Sequence, residues 1–175
     1  LKSLDRNIVP VQVRPRVPFK IFNYMFDKRI EILAKNKEYF ESFVLYAAEI
    51  ISSTLKTNNK IMFCGNGGSA AESQHMAAEY AATLDSKRPR DGYAAIALTT
   101  DTSFITAWSN DFGFDGIFSR QISSIGNQGD LVICYSTSGN SKNILKAVIQ
   151  AKKQKINYLI FTGSNKKSSL AKFSD

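Results

Sequence analysis

One histidine and two cysteines are all the chain holds of the nitrogen and sulfur ligands that zinc prefers. That is too few for a tetrahedral zinc site made of those atoms in a single subunit. Cys64 and Cys134 each fall inside an apolar run, so buried and reduced thiols are expected, which fits the cytoplasm. Proline is scarce as well: three of the four lie within the first 18 residues. Residues 1–20 therefore read as a basic, extended leader or linker with no clear periodicity. They contain neither an uninterrupted apolar core nor a small-residue cleavage site, which argues against a secretory signal. Nowhere does an apolar run approach the roughly 20 residues a membrane-spanning helix needs. Internal repeats and low-complexity tracts are missing too, which excludes solenoids and disordered repeats.

What is present suits one globular domain. Across 175 residues, 43% hydrophobic and 22% charged content allow a continuous core. The net charge of +8 comes from scattered lysines and arginines that do not alternate with aromatics. That pattern argues against nucleic acid and suits the electrostatic steering of a small anionic substrate.

Two helices are expected first. The second, in "EYFESFVLYAAEIISSTLKT", places Phe40, Phe43, Val44, Ala47, Ala48 and Ile51 on one face. From Lys60 onward, strands and helices alternate. "KIMFC" (60–64), "YAAIAL" (93–98), "DLVICYS" (130–136) and "INYLIFTG" (156–163) read as strands. Helices are expected at about 70–84, after a cap at Asp101 or Thr102, over "FDGIFSRQISSIG", and through "SKNILKAVIQAKKQK". The alternation predicts an α/β fold: a doubly wound parallel sheet, flavodoxin-like, flanked by helices and preceded by helices at the N-terminus. Residues 21–175 form that domain. A four-stranded sheet is short for this architecture, so a further C-terminal strand and helix are expected in the natural protein.

In such sheets the ligand sits where strand-to-helix turns converge at the C-terminal strand ends. Two turns have the composition for it. "GNGGS" (65–69) follows the first strand and "STSGNS" (136–141) the third. The first also satisfies G-x-G-x-x-A, with Asp85 twenty residues beyond Gly65, as a dinucleotide fingerprint would require. Asp85 does not close a second strand, however, and G-K-[ST] is missing, so no nucleotide cofactor is expected. Taken together, the two turns suit one phosphate: hydroxyls donate, glycines let backbone N–H groups approach, and helix N-termini favour the charge. A tight connection with helix-capping serines is the simpler alternative for either turn taken singly.

His75 and Glu79 are four apart and so share a helix face. If that face rims the pocket, the carboxylate can serve as a general base next to a carbonyl. The imidazole can then orient a substrate or ligate a metal. Otherwise the two are a surface pair. Asn110 and Asp111 are expected in a loop past the second strand, suited to turns or to sugar hydroxyls.

The stretches "CGNGGSAAESQHMAAEY", "AIALTTDTSFITAWSNDFGFDGIFSRQ" and "GDLVICYSTSGNSKNILKAV" closely resemble bacterial phosphoheptose isomerases of the sugar isomerase (SIS) fold. The likeness runs from about Lys60 to Thr162. It implies an aldose–ketose isomerase acting on sedoheptulose 7-phosphate, supplying heptose for lipopolysaccharide or capsule. It also implies substrate contacts at Asn66, Gly67, Gly68, Asn110 and Asp111. Ser69, Ser136, Thr137, Ser138 and Ser141 would hold the phosphate, and Glu79 would be the base. His75 and Glu79 match two zinc ligands of the members that bind zinc, one ion per subunit. Members are typically cytoplasmic homotetramers with active sites at subunit interfaces.

Two departures stand out. Thr83 occupies the position where the family carries an arginine, four residues after the catalytic glutamate, leaving Arg88 or Lys87 to replace it. The Gln and His of the family's final helix are not in this sequence. A related alternative is a non-catalytic SIS module of the replication-initiator-associating type, which binds a protein partner. Such modules resemble this chain in their turns but lack the carboxylate at Glu79.

Overall fold

The computed structural model describes residues 19–173. Most of the expected leader, residues 1–18, lies outside that range, while Phe19 and Lys20 already open a helix. The chain forms two compact units that divide between Val44 and Leu45. The first contains α1 (Phe19–Lys35) and the opening turns of α2 (Lys37–Lys56). Glu31–Lys35 and Lys37–Glu41 form i,i+4 ion pairs on its surface. Tyr24, Ile30, Leu33 and Tyr39 are each at least 60% exposed.

The second unit is the α/β domain. Its strands are β1 (Ile61–Cys64), β2 (Ala95–Ala97), β3 (Leu131–Ser136) and β4 (Asn157–Thr162). All pair in parallel in the order β2-β1-β3-β4. Between them run α3 (Gly68–Ala81), α4 (Thr102–Phe112), α5 (Ile117–Ile125) and α6 (Lys142–Lys153). Every residue of β1 is buried, as are the first four of β3. Helices cover both faces of the sheet, so these strands read as unbroken apolar runs rather than alternating ones.

Period-two geometry still sorts the side chains. Ile61, Phe63, Leu131 and Ile133 share a cluster with Ala47 of α2 and Ala77 of α3. Met62, Cys64, Val132 and Cys134 share another with Ile122 of α5 and Ile144 and Val148 of α6. A fully buried side chain of this size stabilises by about 1.5–3 kcal/mol, and Phe63 has no exposed surface. Helices thus lie on both faces, as expected.

Four expectations need correction. α3 starts at Gly68 and ends at Ala81, so Leu84 falls in the following loop. Tyr93 N–H donates to Tyr80 O there, and Gly92 lies where a Cβ would stand 2.4 Å from Ala81 O, so residues 92–93 cover the helix end. β2 is only three residues long. "FDGIFSRQISSIG" is not one helix: a 3₁₀ turn at Phe114–Gly116 precedes α5. Asn110 and Asp111 are in the last turn of α4, not in a loop. Stacking of Trp108 on Phe104 and Phe112 (centroids 6.0 and 4.5 Å apart) carries that helix on to Phe112. Gly113, at φ 85°, then ends it.

Candidate active site

The strand order reverses between β1 and β3, and their registers pair Cys64 with Cys134. Both expected turns therefore leave the sheet side by side at the topological switch point, where open α/β sheets bind ligands. That adjacency comes from strand order alone.

The first turn is compact at its base and open at its tip. A Cβ on Gly65 would come within 2.4–2.7 Å of Ser69, so only glycine lets the turn fold back onto α3. Gly67 has φ 55°, in the left-handed region that favours glycine, and Cβ atoms on Gly67 or Gly68 would meet nothing within 4 Å. No side chain caps α3; the Ser69 N–H donates to Asn66 O and those of Ala70 and Ala71 to Gly67 O, so the turn itself holds the helix start, whose dipole still favours an anion. Ser69 O accepts from Ser73 Oγ at 2.8 Å, and the Ser69 side chain is half-buried.

The second turn is braced from outside. Thr162 Oγ1 donates to Ser136 O (2.8 Å), Leu170 N–H to Gly139 O (3.0 Å) and Ser169 N–H to Asn140 Oδ1 (2.9 Å). Gly139 is buried at φ 66°, and a Cβ there would collide with Ser168. Ser168 Oγ is itself buried and without a hydrogen-bond partner. Ser136 is buried and its hydroxyl lies 3.2 Å from that of Ser141, whose side chain makes no cap to α6. Thr137 and Ser138 are exposed. Ser138 Oγ accepts from Asn140 N–H at 3.2 Å, which leaves its own hydrogen to donate.

The Asn66 side chain pairs reciprocally with that of Asn143: Asn66 Nδ2 donates to Asn143 Oδ1 at 2.9 Å and Asn143 Nδ2 donates to Asn66 Oδ1 at 2.8 Å. Asn143 was not singled out from sequence, because its partner lies 77 positions away.

His75 and Glu79 do share one face of α3, with Nε2 and Oε1 3.9 Å apart. Glu79 is the more sheltered, its side chain 28% exposed against 66% for His75. Two ligands of a tetrahedral zinc ion stand about 3.4 Å apart, so this pair can form one edge of such a site. Among the described residues, no cluster of three or more His, Cys, Asp or Glu supplies the rest. A zinc site thus needs ligands from outside them.

Of the two substitutes for the missing arginine, Arg88 is engaged, its Nε donating to Asp85 Oδ2 at 2.8 Å, whereas Lys87 gives Asp85 Oδ1 only its backbone N–H. Arg90 is the cation at the end of α3. It donates to Glu79 O (2.8 Å) and Tyr80 O (2.9 Å), and its guanidinium lies 4.2 Å from the Tyr93 ring centroid. A cation on the last carbonyls also complements the helix dipole. Burial pushes the Tyr80 hydroxyl up, and Arg90 partly opposes that shift. Tyr135 is pushed up further, by burial first and then by Glu72.

Cys64 and Cys134 are free and fully buried, with their sulfurs 3.5 Å apart. The Cys64 thiol is held well above its ordinary value by the hydrogen bond with Cys134 and by burial. Both are buried packing residues with no disulfide between them, as expected. Asn110 Nδ2 donates to Asp111 Oδ1 at 2.8 Å, and both residues are exposed.

A SIS domain family model matches residues 25–163. Over 118 residues the chain is 50% identical to the phosphoheptose isomerase of Campylobacter concisus, an overlap of 67% of this chain and 61% of that protein. Over 145 residues it is 39% identical to that of Coxiella burnetii, covering 83% of this chain and 72% of the relative. Among solved structures, the phosphoheptose isomerase of Neisseria gonorrhoeae aligns with a TM-score of 0.79 at 36% identity, over 90% of this chain and 80% of that one. The one from Francisella tularensis aligns at 0.81 and 30% identity, over 90% and 81%. The chain spans about 60% of the length of curated relatives such as the C. concisus protein.

Proposed function

Because the chain belongs to the SIS domain family and, within it, to the phosphoheptose isomerases, we propose that the whole protein interconverts sedoheptulose 7-phosphate and D-glycero-D-manno-heptose 7-phosphate. The observation that carries this reading is the convergence of two hydroxyl- and glycine-lined turns at the switch point. Glu79 lies on the helix that one of them starts. In this reading the phosphate rests among Ser69, Ser136, Thr137, Ser138, Ser141 and the N-termini of α3 and α6. Gly67 and Gly68 leave room for the sugar chain.

At the other end, Glu79 removes the proton on C1. The C1–H electrons form the C1–C2 double bond as the carbonyl electrons move to O2, which takes up a proton from solvent, giving a 1,2-enediol. Return of the proton to C2, with an O1–H proton lost, completes the aldose. General-base work of this kind contributes typically 10²–10⁴-fold. His75 lies one turn before Glu79 and can orient the carbonyl end. A zinc ion would be held by His75 and Glu79 together with ligands from outside the described residues, one ion per subunit. When bound, it would polarise a substrate oxygen.

The reading includes a cytoplasmic homotetramer that supplies heptose for lipopolysaccharide or capsule. The exposed apolar side chains of α1 support assembly, and among the described residues no helix is long and apolar enough to cross a membrane. The isomerase names of the relatives, together with the presence of Glu79, disfavour a non-catalytic module.

The test is turnover of sedoheptulose 7-phosphate by the full-length protein and by its Glu79→Gln variant. The variant is expected to lose about 10²–10⁴-fold in kcat while keeping its circular dichroism spectrum. An inactive wild-type protein overturns the reaction, and a variant that retains near wild-type turnover overturns the base.

A further inference from the structure

We propose that Asn143 is a positioning residue that ties the two turns of the site into one unit through Asn66. The inference rests on the isomerase reading for what the turns hold, but its geometry is independent of that reading. Asn66 sits two residues past β1, and Asn143 is the second residue of α6, directly beyond the hydroxyl-lined turn. Each amide gives the other one donor and one acceptor, at 2.9 and 2.8 Å. Asn143 is 3% exposed, and its Oδ1 also accepts from Ile144 N–H at 3.0 Å. In so sheltered a place a hydrogen bond is stronger and its loss more costly than in water.

The pair has a directional consequence. The 136–141 turn is already braced by Thr162, Ser169 and Leu170. The tip of the first turn has open space around Gly67 and Gly68. Asn143 therefore transmits the fixed geometry of the braced turn to the open one, which begins the helix carrying Glu79. Losing Asn143 should leave the braced turn able to bind an anion while the open turn, and the base beyond it, lose their alignment.

Asn143→Leu removes both bonds at similar volume. Asn143→Asp offers the same shape with a donor only when its carboxyl is protonated. In the full-length protein, Asn143→Leu is expected to lower kcat at least tenfold, with a smaller fall in inorganic phosphate affinity by calorimetry because the braced turn still binds the anion. Hydrogen exchange gives a readout that does not depend on turnover. Phosphate should slow exchange at 65–69 and at 136–141 in wild type, but only at 136–141 in Asn143→Leu. For Asn143→Asp, kcat relative to wild type should recover as pH falls, because the protonated acid restores the second donor. A kcat within twofold of wild type in Asn143→Leu overturns the proposal. So does phosphate affinity that falls in step with kcat and Tm, which marks a merely structural role. If wild-type protein shows no turnover, the isomerase reading fails, and the exchange pattern alone decides the tie.

Discussion

The two ends of the sheet treat their polar groups in opposite ways. At the N-terminal end, between β1 and β3, the buried carboxylate of Asp130 is saturated. Oδ1 accepts from Lys60 N–H at 3.0 Å, while Oδ2 accepts from Lys60 Nζ at 2.6 Å and from Asn127 N–H at 2.7 Å. At the C-terminal end, neither Gly67 before α3 nor Ser141 before α6 caps its helix with a side chain, and Thr137 and Ser138 are exposed. One end spends its polar chemistry on itself and so fixes strand register; the other keeps its own in reserve. A ligand can bind only where donors remain unsatisfied, so stability and function are divided between opposite ends of the same two strands.

The largest break of that contrast comes at the saturated end. Asp130→Ala leaves two backbone donors and Lys60 without their acceptor in a buried place. The expected cost is about 3 kcal/mol, or a fall in Tm of roughly 10 °C for a chain of this size. Phosphate affinity at the far end, measured below the new Tm, should not change. A variant as stable as wild type would show that the staple is ornamental, and a large loss of phosphate affinity would show that the two ends are not independent.

A smaller and opposite effect is expected at the reserved end. Ser138→Ala removes a hydroxyl whose hydrogen is free to meet a phosphate oxygen, while its one contact in the turn is acceptance at 3.2 Å from Asn140 N–H. Substrate affinity should fall by about 1.5–3 kcal/mol, the value of a hydrogen bond to a charged group, with Tm almost unmoved. Unchanged affinity would remove Ser138 from the phosphate site.

The same contrast explains what the sequence made legible. Strands such as Ile61–Cys64 stand out because burial on two faces writes a continuous apolar run, and the reserved turns stand out because glycine and hydroxyl residues cluster where nothing else needs them. The His75–Glu79 alignment followed from helical periodicity alone. What stayed hidden depends on strand order. Asn143 looks like any polar residue in the first turn of a helix until β1 and β3 are known to be neighbours. Arg90 is one of several cations in "DSKRPRDG", and only the fold-back of residues 90–93 onto the end of α3 selects it over Arg88. Asn110 and Asp111 carry turn-like side chains, yet aromatic packing at Phe104, Trp108 and Phe112 keeps them helical. Local preference lost there to side-chain stacking.

The smallest effect is expected in the loop between α3 and β2, which belongs to neither end. The Arg88 guanidinium, and then the Lys87 N–H, hold the Asp85 carboxyl below its ordinary value. A carboxylate whose pKa is lowered by folding stabilises the native state above the unfolded value, near 4. That contribution is lost as pH falls through the lower folded value, because the unfolded chain takes up the proton first. Asp85→Asn should therefore lower Tm slightly at pH 7, and the gap to wild type should close as the pH approaches 3. The pair is solvent-exposed, with Arg88 85% accessible, so added salt should shrink the gap at neutral pH as well. A gap that widens in acid would reverse the sign and place the carboxylate in an unfavourable site. A gap as large as that of Asp130→Ala would mean that this loop, and not the buried staple, anchors the strands.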